Sequence, residues 1–142
     1  MTEDNLNEQN NCDFSDISIL VVEDDAISAL LINKMFDNVG LKEIAFAENS
    51  DKALELFQTN KYNIVLMDYT LYGSSCNGIE LTKKFKEISP SVPVIFQTAR
   101  ALLHEKEECL SSGAEDYISK PFKKNILLDT IVKYIPQPVQ KV

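Results

Sequence analysis

Positive charge is scarce in this chain. Fourteen lysines and arginines face 22 acidic residues, a net charge of −8 over 142 residues. That balance argues against nonspecific binding to nucleic acid or to an anionic membrane surface. Long apolar runs are missing as well. No window approaches the ~18 apolar residues a membrane span requires, and the N-terminus has no apolar core of a secretory signal. Cysteine is limited to Cys12, Cys76 and Cys109, an odd number without C-x-x-C spacing. They read as unpaired thiols in a reducing cytosol, which points to a cytoplasmic protein without disulfides or a thiolate metal site. Histidine occurs once, as His104, and reads as a surface residue of a helix.

What remains is an ordinary globular composition, 44% hydrophobic, of a length that suits one domain. Residues 1–16 are rich in Asn, Asp and Glu and bury too little to offset ordering entropy, so they read as a disordered arm or linker. Residues 136–142 read as a C-terminal tail. Between them, over 17–135, strand-like and helix-like stretches alternate. Strands are expected near 17–22, 42–47, 63–67, 92–96 and 115–119. Helices are expected near 26–38, 51–59, 78–88, 102–112 and 122–135. The first helix carries Ile27, Leu30, Leu31 and Met35 at helical spacing and stops at Gly40. The second takes Ser50 or Asp51 as its cap. Five βα units with short connections imply an α/β doubly wound, flavodoxin-like parallel sheet, with 2-1-3-4-5 as the expected strand order.

Two apolar runs end in acid. Ile17–Val22 runs into Glu23, Asp24 and Asp25, and Ile64–Met67 into Asp68. In the expected order these strands are neighbours, so the carboxylates converge at the edge where open α/β sheets bind ligands. Clustered acids repel unless a cation lies among them. Mg²⁺ suits the set, since it takes oxygen ligands and keeps several waters. Glu23, Asp24 and Asp68 are the candidate ligands, with the backbone carbonyl of Thr70. Asp25 is assigned to the start of the first helix, whose dipole it stabilises. Thr98 and Lys120 fall at the same edge. A lysine, a hydroxyl and a metal beside a carboxylate are what phosphoryl acceptance requires: positioning and positive charge, with Asp68 as nucleophile.

The motifs Ile-Leu-Val-Val-Glu23-Asp24-Asp25, Ile-Val-Leu-Met-Asp68, Val-Ile-Phe-Gln-Thr98-Ala99 and Gly113-Ala-Glu-Asp-Tyr117-Ile-Ser-Lys120-Pro121-Phe122, in this order, resemble the receiver domain of two-component response regulators. The resemblance covers about 17–135. It implies that Asp68 takes phosphate from a phosphohistidine on a histidine kinase or histidine phosphotransfer protein. It implies that Asp24 binds Mg²⁺ directly and Glu23 through water. It also implies that Thr98 and Tyr117 form a switch altering the protein contacts of the helix 4–strand 5–helix 5 face, and that Thr70 and Arg100 tune hydrolysis. Such a domain catalyses its own phosphorylation and slow dephosphorylation without being a turnover enzyme. A monomer or weak dimer is expected.

One departure stands out. The family usually has Pro four and Gly eight residues after the acceptor. Here Tyr72 holds the first place, and the matching glycine is Gly78, ten residues on. The loop Tyr69–Asn77 is therefore about two residues longer. Two other functions use related chemistry. A haloacid dehalogenase-like phosphatase would need an acid where Thr70 stands. A pseudo-receiver would bind partners without phosphate. Parentage is open between a stand-alone regulator and a receiver of a hybrid histidine kinase, with residues 108–117 leaning to the latter. Glu105, Glu107 and Glu108 read as a solvated helix face.

Overall fold

A computed structural model describes residues 13–99 and 102–136. Residues 1–12 of the expected arm, Arg100, and 137–142 of the tail lie outside the described residues. Five strands and five helices alternate: β1 (Ser18–Val22), α1 (Ala26–Met35), β2 (Glu43–Ala47), α2 (Ser50–Thr59), β3 (Ile64–Asp68), α3 (Gly78–Ile88), β4 (Val94–Thr98), α4 (Leu103–Ser111), β5 (Asp116–Ser119) and α5 (Lys124–Val132). The sheet is parallel in the order β2-β1-β3-β4-β5, as expected.

Strands β1, β3 and β4 are buried along their whole length. That is the pattern of a parallel sheet covered on both faces. One face carries Leu20, Val65 and Phe96 against Phe57 of α2, Leu81 and Phe85 of α3, and Cys109 of α4. The other carries Ile19, Leu66 and Ile95 against Ile32 of α1 and Leu127 and Ile131 of α5. Phe57 and Phe85 stack with ring centroids 4.0 Å apart, which locks α2 to α3. Phe14 is buried in the α1/α5 layer and its carbonyl accepts from the Ile17 N–H, so the packed domain begins before Ile17.

Several local expectations are corrected. α1 ends at Met35 rather than residue 38, and Asn38 and Gly40 follow with positive φ of 64° and 85°. The inner face of α1 is Ile32; Ile27, Leu30 and Leu31 are 69%, 60% and 53% exposed. Apolar residues lie on both sides of this helix, so spacing alone did not show which side is buried. The cap of α2 is Asn49, whose side chain accepts from the Lys52 N–H, and not Ser50 or Asp51. β4 runs to Thr98 instead of ending at Phe96, because its pairing with β5 extends to Ser119. α5 is shorter than the expected 122–135.

Candidate phosphoacceptor site

Register places the acids. Val22 pairs with Met67, so Glu23 and Asp24 leave β1 where Asp68 closes β3. One oxygen from each of Glu23, Asp24 and Asp68 lies within 4.8 Å of the other two. Opposite oxygens around an octahedral Mg²⁺ are about 4.2 Å apart, twice the ~2.1 Å bond, so the trio fits such an ion with little adjustment. Asp25 stands apart from the trio. Its carboxylate accepts from the Ser28 N–H and hydroxyl at 3.0 and 2.7 Å, capping α1.

Lys120 completes the centre. Its Nζ donates to Glu23 Oε1 at 2.7 Å and lies 3.6 Å from Asp68 Oδ1. It arrives there because β5 pairs with β4 and the Lys120 N–H donates to the Thr98 carbonyl at 2.7 Å. The Lys120–Pro121 peptide is cis. Burial works against its charge, but the Glu23 hydrogen bond and the two carboxylates prevail and raise its pKa. Asp68 is buried, and desolvation, followed by the hydrogen bond and charge of Glu23, pushes its carboxyl up to about 8. An acid held this far from its ordinary ionisation is a group that a bound cation would stabilise in its charged form.

The loop after β3 lies over this centre. The Thr70 N–H donates to Asp68 Oδ1 at 3.4 Å, and the Tyr72 N–H to Asp24 Oδ2 at 2.8 Å. The same loop is tied to the start of α2. Ser74 Oγ accepts from the Ser50 N–H, Ser75 Oγ donates to Asp51, and the Cys76 N–H donates to Ser50 Oγ. Leu71 and Cys76 are buried. The loop ends in a capping box between Asn77 and Glu80. Gly78 is required by close approach: a Cβ there would run into the Asp68 carbonyl oxygen. The cavity between loop and sheet edge, about 460 Å³, is lined by Glu23, Asp24, Asp25, Asp68, Thr70, Tyr72, Ala99 and Lys120.

Thr98 stands outside that cavity lining. It is buried, and its hydroxyl donates to Glu105 Oε1 of α4 at 3.4 Å. Glu105 is only 3% exposed, so the reading of Glu105 as part of a solvated face is corrected. Glu108 is exposed but accepts from the Tyr69 hydroxyl at 2.6 Å, which raises the pKa of that phenol. The signal for both was hidden: an i, i+2, i+3 run of acids carries no mark of which member turns inward. Tyr117 on β5 is half-buried, with Lys106 Nζ 5.1 Å from its ring centroid.

The family model for the response regulator receiver domain matches residues 19–132. Sensor histidine kinase RcsC of Escherichia coli K12 is 32% identical over 122 residues, which is 86% of this chain and 12% of the kinase. Transcriptional regulatory protein DltR of Streptococcus agalactiae is 36% identical over 118 residues, 80% of this chain and 49% of the regulator. The chain thus spans about an eighth and about half of these relatives. Among solved structures, the receiver domain of Francisella response regulator 1452 aligns with a TM-score of 0.75 at 29% identity, covering 84% of this chain and 96% of that one. A CheY-like receiver domain protein of Methanospirillum hungatei aligns with a TM-score of 0.76 at 28% identity, covering 84% and 93%.

Proposed function

The chain belongs to the response regulator receiver family, and we propose that it accepts a phosphoryl group on Asp68 from a phosphohistidine of a histidine kinase or phosphotransfer protein. The observation that carries this is the cavity in which Asp68 meets Lys120 and the clustered carboxylates of Glu23 and Asp24. Asp24 and Asp68 would hold Mg²⁺ directly, Glu23 through water, and the Thr70 carbonyl would add a ligand. When bound, the ion neutralises charge on the transferring group. An oxygen of Asp68 forms the new bond to phosphorus as the bond to the donor imidazole nitrogen breaks and the imidazole takes up a proton. Lys120 offsets the charge that remains on the aspartyl phosphate.

The exposed Ile27, Leu30 and Leu31 on α1, next to the site, support docking of the donor protein there. Thr98 and Tyr117 form the switch in this reading. The Thr98 hydroxyl leaves Glu105 for a phosphoryl oxygen, the ring of Tyr117 turns inward, and the α4–β5–α5 face changes partners. Among the described residues no helix is long and apolar enough to cross a membrane. In this reading the domain is cytoplasmic and acts by protein contact. The same chemistry serves a stand-alone regulator or the receiver of a hybrid kinase.

The test is incubation with acetyl phosphate and Mg²⁺, read by intact mass. The wild-type chain is expected to gain one phosphate and Asp68→Asn none. Equal gain in both would exclude Asp68 as the acceptor.

A further inference from the structure

A second cavity, about 440 Å³, opens on the other side of Lys120. Its walls are Leu31, Ile32 and Met35 of α1, with Pro121 and Phe122 after β5. That size and apolar lining fall within the ~300–1,000 Å³ range of small-molecule sites. Gln97 of β4 also lines it. Gln97 is 0% exposed, and among the described residues neither its side-chain nitrogen nor its oxygen has a hydrogen-bond partner. Buried amides without partners are rare, since their desolvation is uncompensated.

The polar side chains of Ser28 and Lys120 at this cavity already have partners. The Ser28 hydroxyl donates to Asp25 and the Lys120 ammonium to Glu23. The Gln97 amide is the lining side chain without a hydrogen bond among the described residues. It offers one donor edge beside one acceptor, without charge. We propose that this cavity binds a neutral small molecule with an apolar body and a primary amide or equivalent donor–acceptor edge, paired to Gln97. Ala99 and Lys120 line both cavities, so the occupant sits beside the phosphoacceptor centre. Binding there would couple a small-molecule signal to phosphoryl transfer.

The probe is benzamide, titrated into the ¹⁵N-labelled chain, with toluene as the same ring lacking the polar edge. Benzamide is expected to shift the Gln97 side-chain NH₂ resonances saturably and to bind roughly tenfold tighter than toluene, the discrimination of one well-made hydrogen-bonded pair. In Gln97→Leu, an apolar replacement of similar size, benzamide should fall to the affinity of toluene. Unmoved Gln97 resonances, or equal benzamide affinity in Gln97→Leu, would overturn the proposal. Acetyl phosphate labelling of the same samples reports separately on Asp68, so the cavity and the phosphoacceptor reading fail independently.

Discussion

The backbone N–H of Tyr72 donates to Oδ2 of Asp24 at 2.8 Å, across 48 residues of sequence. A loop about two residues longer than the family's usual one thus holds a carboxylate proposed as an Mg²⁺ ligand. Outer hydrogen bonds of this kind orient ligands, and losing one commonly costs 10–100-fold in metal affinity. Tyr72→Pro, which removes the donor, should weaken Mg²⁺ binding about tenfold by calorimetry. Tyr72→Ala keeps the N–H and should bind as wild type.

Asp68 makes the domain's stability depend on pH when no divalent cation is added. Its folded carboxyl is raised to about 8 by burial and by Glu23, while in the unfolded chain it ionises near 3.9. The folded state therefore binds more protons between these values. Its contribution is fully present below about pH 3.9 and is lost as pH rises through 8. Urea midpoints should fall over that window, and Asp68→Asn should flatten the trend. Saturating Mg²⁺ at a hundredfold excess over its dissociation constant should restore about 2.7 kcal/mol.

Lys120 compensates two carboxylates, with Glu23 almost fully buried. Lys120→Met leaves them facing each other. Breaking a fully buried pair costs about 3–5 kcal/mol, and with Lys120 partly exposed the loss should be nearer 2–3 kcal/mol by urea denaturation. Mg²⁺ should recover most of it, which separates charge compensation from lost packing.

Gly78 is set by space. A Cβ would collide with the Asp68 carbonyl oxygen and lie 3.0 Å from the Phe96 ring. Gly78→Ala should destabilise by about 2–3 kcal/mol, the usual cost of overpacking, and lower the rate of acetyl phosphate labelling because Asp68 itself is displaced.

The Thr98 hydroxyl donates to Glu105 Oε1 at 3.4 Å, and in the proposed switch it leaves that partner for the phosphoryl group. Glu105→Leu removes that acceptor and should favour the form in which Thr98 turns toward Asp68. The concentration of beryllofluoride needed to shift the Thr98 amide resonance should drop about fivefold, for a bond worth roughly 1 kcal/mol. An unchanged or higher requirement would show that Glu105 plays no part in holding Thr98.

The sheet was legible because its central strands are unbroken apolar runs ending in chemistry. Asp68, Asp24, Glu23 and Lys120 meet because parallel pairing brings strand ends together, and strand order followed from alternation. Other features depend on contacts that no local pattern encodes. Which side of α1 is buried was obscured by apolar residues on both. The inward turn of Glu105 depends on Thr98, seven residues away on another element. The course of the long loop depends on Ser50 and Asp51 of α2, to which nothing in the loop's own composition points.

Those serine contacts make the two sides of the acidic cavity unequal. On the α2 side stands a wall pinned at Ser50 and Asp51. On the α1 side three aliphatic side chains face solvent. The proposed macromolecular donor would consequently meet a one-sided doorway, closed toward α2 and greasy toward α1. A free phosphodonor the size of acetyl phosphate feels no such bias, so substitutions on α1 should separate the two kinds of donor.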